Sequence, residues 1–227
     1  YIMKISEATI EVLRNFASIQ PNLVVSAGSN LKSISEARNI MVSANIDETF
    51  DKDFGIYDLN EFLSAFNLID GAELEFTDNA VLIKGADDKV VYRFANAEIL
   101  TQPAKTINMP EADLEMTLTE SEIAQVKRAA SALGHPVLSI TKEDNDTVVK
   151  VCDPNNPTAN TWSKKVTPAK VPSGNYDYQF LISNLKLIQD DYTLQVSNKL
   201  ISSWKSNNRN PIVEYWIALE KTSTYED

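Results

Sequence analysis

Met3-Lys4-Ile5-Ser6-Glu7 and Met116-Thr117-Leu118-Thr119-Glu120 carry one pattern at a spacing of 113 residues. In each, a short apolar strand ends in a hydroxyl residue and enters a helical periodicity. Ser6 and Thr119 are suited to cap those helices, because a hydroxyl oxygen accepts one of the orphan backbone N–H groups of a first turn. The first helix is expected near Ser6 to Ile19. It places Ile10, Leu13, Phe16, Ala17 and Ile19 largely on one face and Glu7, Glu11, Arg14 and Ser18 on the other. The second is expected near Thr119 to Leu133. Ile123, Val126, Ala130 and Leu133 form its stripe, and Ala124, Lys127, Arg128 and Ser131 lie away from it. At the same shift Ile10 aligns with Ile123, Leu13 with Val126 and Arg14 with Lys127.

A second pair of segments extends the repeat. Tyr57-Asp58-Leu59-Asn60-Glu61-Phe62-Leu63 and Phe180-Leu181-Ile182-Ser183-Asn184-Leu185-Lys186 each read as a strand end entering a helix of two or three turns, with Asp58 and Ser183 as caps. Turns at Asp70-Gly71 and Asp190-Asp191 follow. The alternating strands Ala72–Phe76 and Tyr192–Val196 come next, and each half closes on an aromatic strand, Val90–Phe94 and Val213–Leu219. The stretch from Ala97 to Glu111 holds Pro103 and Pro110 and little periodicity, so it reads as a connector. The expected fold is α+β, with two similar domains, residues 1–110 and 111–227, each with two helices packed on antiparallel sheets.

Composition narrows the function. With 43% hydrophobic residues among 227, only 6 Gly and 9 Pro, the chain can bury real cores. No apolar run approaches the roughly 18 residues needed to cross a bilayer, and no charged-then-apolar leader opens the sequence. A soluble intracellular protein without membrane contact is expected. The single Cys152 cannot form an internal disulfide, which fits a reducing compartment. The net charge of −11 makes overall phosphate binding unfavourable, so any nucleic-acid contact must use a local basic face.

Catalytic chemistry finds no constellation. His135, the one histidine, sits in Leu133-Gly134-His135-Pro136, a turn after a helix. Cys152 lies in a strand pattern, where a buried structural thiol is expected. One His and one Cys cannot build the usual zinc site, and Gly-rich phosphate loops are absent. Asp144, Asn145, Asp146 and Asp153 lack the spacing and central Gly of a calcium loop and read as turns. No catalytic residue, metal or cofactor is expected.

Duplicated sheets have open edges, and copies joined edge to edge remove those edges by closing into a ring. The helices then line the hole. Here a resemblance becomes specific. Met3-Lys4-Ile5-Ser6, Asn15–Ile19, Ile56-Tyr57-Asp58-Leu59-Asn60 with Phe62-Leu63, Leu185-Lys186-Leu187 before Tyr192-Thr193-Leu194, and Tyr215-Trp216-Ile217-Ala218-Leu219-Glu220 with Ser223-Thr224 resemble, in order, the DNA polymerase sliding clamps of T-even-type bacteriophages. Met3 sits where that family's chains begin, so Tyr1 and Ile2 are expected to be additional to it. The resemblance implies a DNA-clamp fold, a homotrimeric ring of two-domain subunits around duplex DNA, and no catalysis. Its partners would be a DNA polymerase, an ATP-dependent clamp loader and late-transcription factors, in the cytoplasm of an infected host cell.

The resemblance and the helix faces together select Lys4, Arg14, Lys127, Arg128 and Lys186 as DNA-facing, Lys127 on the face argument alone. Glu7 and Glu11 on the first helix, and the lack of any cation on the helix after Asp58, make the expected hole only mildly positive. About four or five neutralised phosphates give a salt slope of roughly −4. For an apolar partner-peptide pocket the candidates are Ile107 and Met109 on the connector and Ile212, Trp216 and Ile217 near the end, since aromatic anchors dominate such contacts. The alternative reading is a non-catalytic phage structural or assembly protein that binds only protein.

Overall fold

Among the described residues, short strands divided by turn residues are the commonest regular element, and three amphipathic helices interrupt them. The computed structural model describes residues 1–104 and 106–227, so Lys105 of the connector lies outside the described residues. The described chain forms two units: Tyr1–Thr106 with Arg209–Val213, and Ile107–Asn208 with Glu214–Asp227.

The first unit contains β1 (Ile2–Met3), α1 (Glu7–Ile19), β2 (Leu23–Val25), β3 (Gly28–Ile34), β4 (Ile40–Phe50), β5 (Phe54–Ile56), α2 (Leu59–Asn67), β6 (Glu73–Phe76), β7 (Ala80–Lys84) and β8 (Lys89–Arg93), then a 3-10 turn at Ala97–Ile99. One sheet runs β1-β6-β7-β8; β2 pairs with β5 and β3 with β4, all antiparallel. The apolar stripe of α1 is buried at Ile10, Val12, Leu13, Phe16, Ala17 and Ile19 and packs against α2 and β4. Phe62 of α2 meets Tyr92 of β8 edge to face at 5.4 Å, and the Tyr92 hydroxyl donates to the carbonyl of Asp58 at the helix start, 3.0 Å. This pair ties α2 to its sheet.

The second unit contains β9 (Leu114–Leu118), α3 (Glu120–Leu133), β10 (Val137–Glu143), β11 (Asp146–Cys152), β12 (Trp162–Val166), β13 (Tyr176–Leu181), a 3-10 turn at Ile182–Asn184, β14 (Tyr192–Ser197), β15 (Ile201–Ser206), β16 (Val213–Ala218) and β17 (Thr224–Tyr225). One antiparallel sheet runs β12-β11-β10-β13-β17. In the other, β9 pairs with β14, β14 with β15, and β15 with β16. Trp204, Tyr178, Tyr192, Tyr215 and Phe180 are fully buried and form the aromatic centre of this unit.

The internal repeat holds to the level of strand register. Met3 of β1 pairs with Leu74 of β6, and Met116 of β9 pairs with Leu194 of β14. The pair β2–β5 corresponds to β10–β13, and the hairpin β3–β4 to β11–β12. The caps Ser6, Asp58 and Thr119 each accept a hydrogen bond from a first-turn N–H, as the sequence predicts.

One expected element is different. The helix predicted after Phe180, with Ser183 as its cap, is a single 3-10 turn at Ile182–Asn184 without a side-chain cap. The main-chain groups beyond it are engaged elsewhere. The Tyr215 hydroxyl accepts from the N–H of Ile188 at 3.0 Å, and the Tyr192 hydroxyl donates to the Ile188 carbonyl at 2.5 Å. Asp190 accepts from the N–H of Asp191 and from the N–H and side-chain amide of Asn208. With those groups committed to the sheet and the following turn, the apolar periodicity of Leu185, Leu187 and Ile188 does not continue as a helix. Lys186 therefore stands on an irregular segment.

Candidate nucleic-acid interface

α1 starts at an anchored point. The Ser6 hydroxyl accepts from the N–H of Thr9 at 3.2 Å, and Glu48 of β4 receives both the Ser6 N–H at 2.8 Å and the Thr9 hydroxyl at 2.6 Å. Burial alone would raise the carboxyl pKa of Glu48, but these hydrogen bonds outweigh it and lower the value. A depressed folded-state pKa gives stability that is complete above the ordinary value of 4.5 and is lost as pH falls through the lowered value. Glu48→Gln is therefore expected to be less stable than wild type at neutral pH, with the difference closing on acidification below about pH 4.5. Urea midpoints measured against pH check this, and a constant difference down to acid pH would refute it.

The exposed face of α1 carries Glu7, Glu11, Arg14 and Ser18. Arg14 is ion-paired to Glu7 at 3.3 Å, and the Glu11 carboxylate holds the guanidinium of Arg209. Lys4 is exposed just before the helix. α2 exposes Asn60, Glu61, Ser64 and Asn67 and carries no cation.

α3 is fixed at both ends. Thr119 and Glu122 form a reciprocal capping box, and Gly134 closes the helix in the left-handed region at φ 68°. Only Ile123 and Val126 are buried; Glu122, Ala124, Gln125, Ala129, Ala130 and Leu133 are half-buried and the rest of the helix is exposed. Lys127 and Arg128 are exposed, and among the described residues neither has a carboxylate within ion-pair distance. Lys127 borders a cleft of about 110 Å³ whose wall is Ile123, Leu187, Ile188 and Tyr192, with Glu120 and Asp190 also on its lining. Desolvation against that apolar wall lowers its ammonium pKa. Lys186 is exposed on the strand of chain that forms one side of the same cleft. In this unit the structure thus brings Lys127 and the segment of Lys186 together on one surface.

The proposed pocket residues differ in exposure. Ile107 and Met109 are half-buried, Ile212 is 50% exposed, and Ile217 is 0% exposed, inside the core of β16. Trp216, on the opposite face of β16 from Ile217, is half-buried, and its indole N–H is enclosed without a hydrogen-bond partner among the described residues. Burial removes Ile217 from any surface pocket.

The residues set aside for catalysis occupy structural positions. His135 follows the helix-ending Gly134, and its Nε2 lies 2.6 Å from the carbonyl oxygen of Asn160. Asp144 and Asn145 turn the β10–β11 hairpin. Cys152 is half-buried rather than buried, with its thiol pKa raised by burial and then by Asp177. Among the described residues no group of three or more His, Cys, Asp or Glu side chains is placed to hold a metal ion, and no helix is long and apolar enough to cross a membrane.

Against this geometry, residues 4–108 match the family model described as DNA polymerase processivity factor. Over 224 residues the chain is 31% identical to a sliding clamp of Vibrio phage KVP40, covering 96% of this chain and 99% of that one. The chain belongs to the sliding clamps of T-even-type phages. A sliding clamp of Escherichia phage RB69 is 27% identical, over 99% of the present clamp and 100% of its relative. The fold is that of wider clamps as well. The A. fulgidus PCNA, solved with the C-terminal region of FEN-1 bound, superposes with a TM-score of 0.71 at 14% identity, covering 98% of each chain. Membership decides for the processivity factor over the assembly-protein reading.

Two features of the clamp surface were missed from sequence. Glu48 lies 42 residues from Ser6, and Arg209 lies 198 from Glu11. Nothing local in the sequence signals either contact.

Proposed function

We propose that three copies of this chain close into a ring around duplex DNA, contact it through phosphates alone, and tether the replicative polymerase without performing chemistry. The two units are then the two clamp domains of one subunit. What carries this reading is the duplication of sheet on sheet, register included, in a chain whose strands β8 and β12 stand at the edges of their sheets. An edge strand presents unpaired backbone groups, and head-to-tail pairing of β8 of one copy with β12 of the next satisfies them and allows closure. Lys127, Arg128 and Lys186, with Lys4 and Arg14, face the hole. Phosphate contact carries no base information, so such a ring slides.

We assign opening and closing to a separate ATP-driven loader, as the family resemblance implies. Extended peptide tails of the polymerase and of other replication and late-transcription proteins dock near the connector and Trp216. The site of action is the cytoplasm of the infected host cell. The test is primer extension on primed circular DNA with polymerase and loader. The wild-type clamp is expected to lengthen products, and Lys127→Ala with Arg128→Ala to flatten the salt slope of DNA retention by about 2. A monomer in solution that leaves product length unchanged sinks the reading.

A further inference from the structure

A DNA-facing helix should be basic, yet the exposed stripe of α1 carries two carboxylates and one guanidinium. Both carboxylates are engaged. Glu7 lies against Arg14 at 3.3 Å, and Arg209 grips Glu11. Arg14 is thereby neutralised on its own helix. Glu11 is held at the surface by a guanidinium that is itself only 20% exposed, so Arg209 is likewise spent on a carboxylate of the stripe. On α3, Lys127 and Arg128 are exposed with no carboxylate within ion-pair distance among the described residues; Glu120 and Asp190 line the same cleft as Lys127 without pairing with it, and Glu122 is turned to Lys164 and to the helix cap.

We propose that Glu7 and Glu11 act as an electrostatic brake on DNA binding by the first unit, occupying or repelling the charges there so that α3 of the second unit carries the phosphate contacts. This rests on the ring reading above and deepens it by assigning the two carboxylates a role. Each phosphate that approaches α1 must displace Glu7 from Arg14, while Arg209 stays committed to Glu11. An exposed ion pair holds its partner only weakly, so Arg14 is exchanged between Glu7 and passing phosphates instead of being captured by one. The contact is brief, and the ring moves along the duplex without sticking.

The test uses the full-length clamp loaded by its loader onto DNA with blocked ends, with diffusion followed by single-molecule tracking at several salt concentrations. Glu7→Gln with Glu11→Gln keeps side-chain size and removes both charges. The expected result is diffusion slowed about five-fold at low salt and a salt slope of retention steeper by about 1 for each phosphate newly engaged by α1. Adding Arg14→Gln to that double variant is expected to reverse most of the effect, which a general change in stability would not do. Equal diffusion and equal salt slopes for wild type and the double variant would overturn the brake. A wild-type protein that cannot be loaded at all would overturn the ring reading, and the brake with it.

Discussion

Val91→Lys is expected to leave a folded protein with one third of the wild-type molar mass in solution and no ability to lengthen polymerase products. Val91 lies on β8, the edge of its sheet, and is 45% exposed. Lys89 and Arg93 already flank it on the same strand, and β12, the edge strand proposed to pair with it in the ring, carries Lys164 and Lys165. A further cation there puts like charges across the junction and asks an ammonium group to give up water. Like charges directly opposed across strands cost up to about 1 kcal/mol each, and a closed trimer meets that cost at three junctions. About 3 kcal/mol is a factor of more than 100 in the assembly constant. Lysines on edge strands are also how natural sheets block pairing with neighbours. Sedimentation equilibrium reads the outcome directly, with Val91→Ile as the control that retains the trimer. A Val91→Lys protein that stays trimeric would place the junction elsewhere.

Trp204→Ala is expected to lower the thermal midpoint by roughly 8–16 °C. Trp204 is fully buried, edge to face with Phe180 at 5.6 Å and with Tyr192 at 6.5 Å. Its indole N–H donates to the Ser202 hydroxyl at 2.9 Å, which in turn donates to the Ile217 carbonyl at 2.7 Å. Truncation removes the largest side chain of the core and leaves a cavity among rigid rings, for a loss of about 4 kcal/mol. For a chain of this length each kcal/mol moves the midpoint by about 2–4 °C. Trp204→Phe fills most of the space and is expected to cost about 1–2 kcal/mol. Calorimetry of the two variants separates lost volume from the lost hydrogen bond. A midpoint within about 3 °C of wild type for the Ala variant would mean that the core collapses around the gap.

Local signals were readable in the sequence. Ser6, Asp58 and Thr119 mark helix starts because a cap acts within three residues, and Met3 and Met116 mark the duplication because each is followed by a strand-to-helix entry. The apolar alternation around Leu74 and Leu194 locates paired strands, since period two is a local property. What escaped depends on distant partners. The segment 182–189 has helical periodicity, but the hydroxyls of Tyr192 and Tyr215 compete for its main chain. Ile217 and Trp216 are neighbours in sequence on opposite faces of one strand, so an aromatic-plus-apolar motif could not by itself say which was accessible. The charges of α1 were legible as residues, but not the pinning of Glu11, because Arg209 arrives from the far end of the chain.

The grip of the two tyrosines on Ile188 also constrains how such a chain can drift. Their rings stand 6.0 Å apart within the buried centre of the second unit. Replacing either one to release the main chain would hollow out that centre, so a single substitution there does not yield a helical turn like α2 at an acceptable cost in stability. The two halves are therefore not interchangeable: the first presents α1 and α2, whereas the second presents α3 and a single 3-10 turn, so doubling the second half would not reproduce the helical surface of the first.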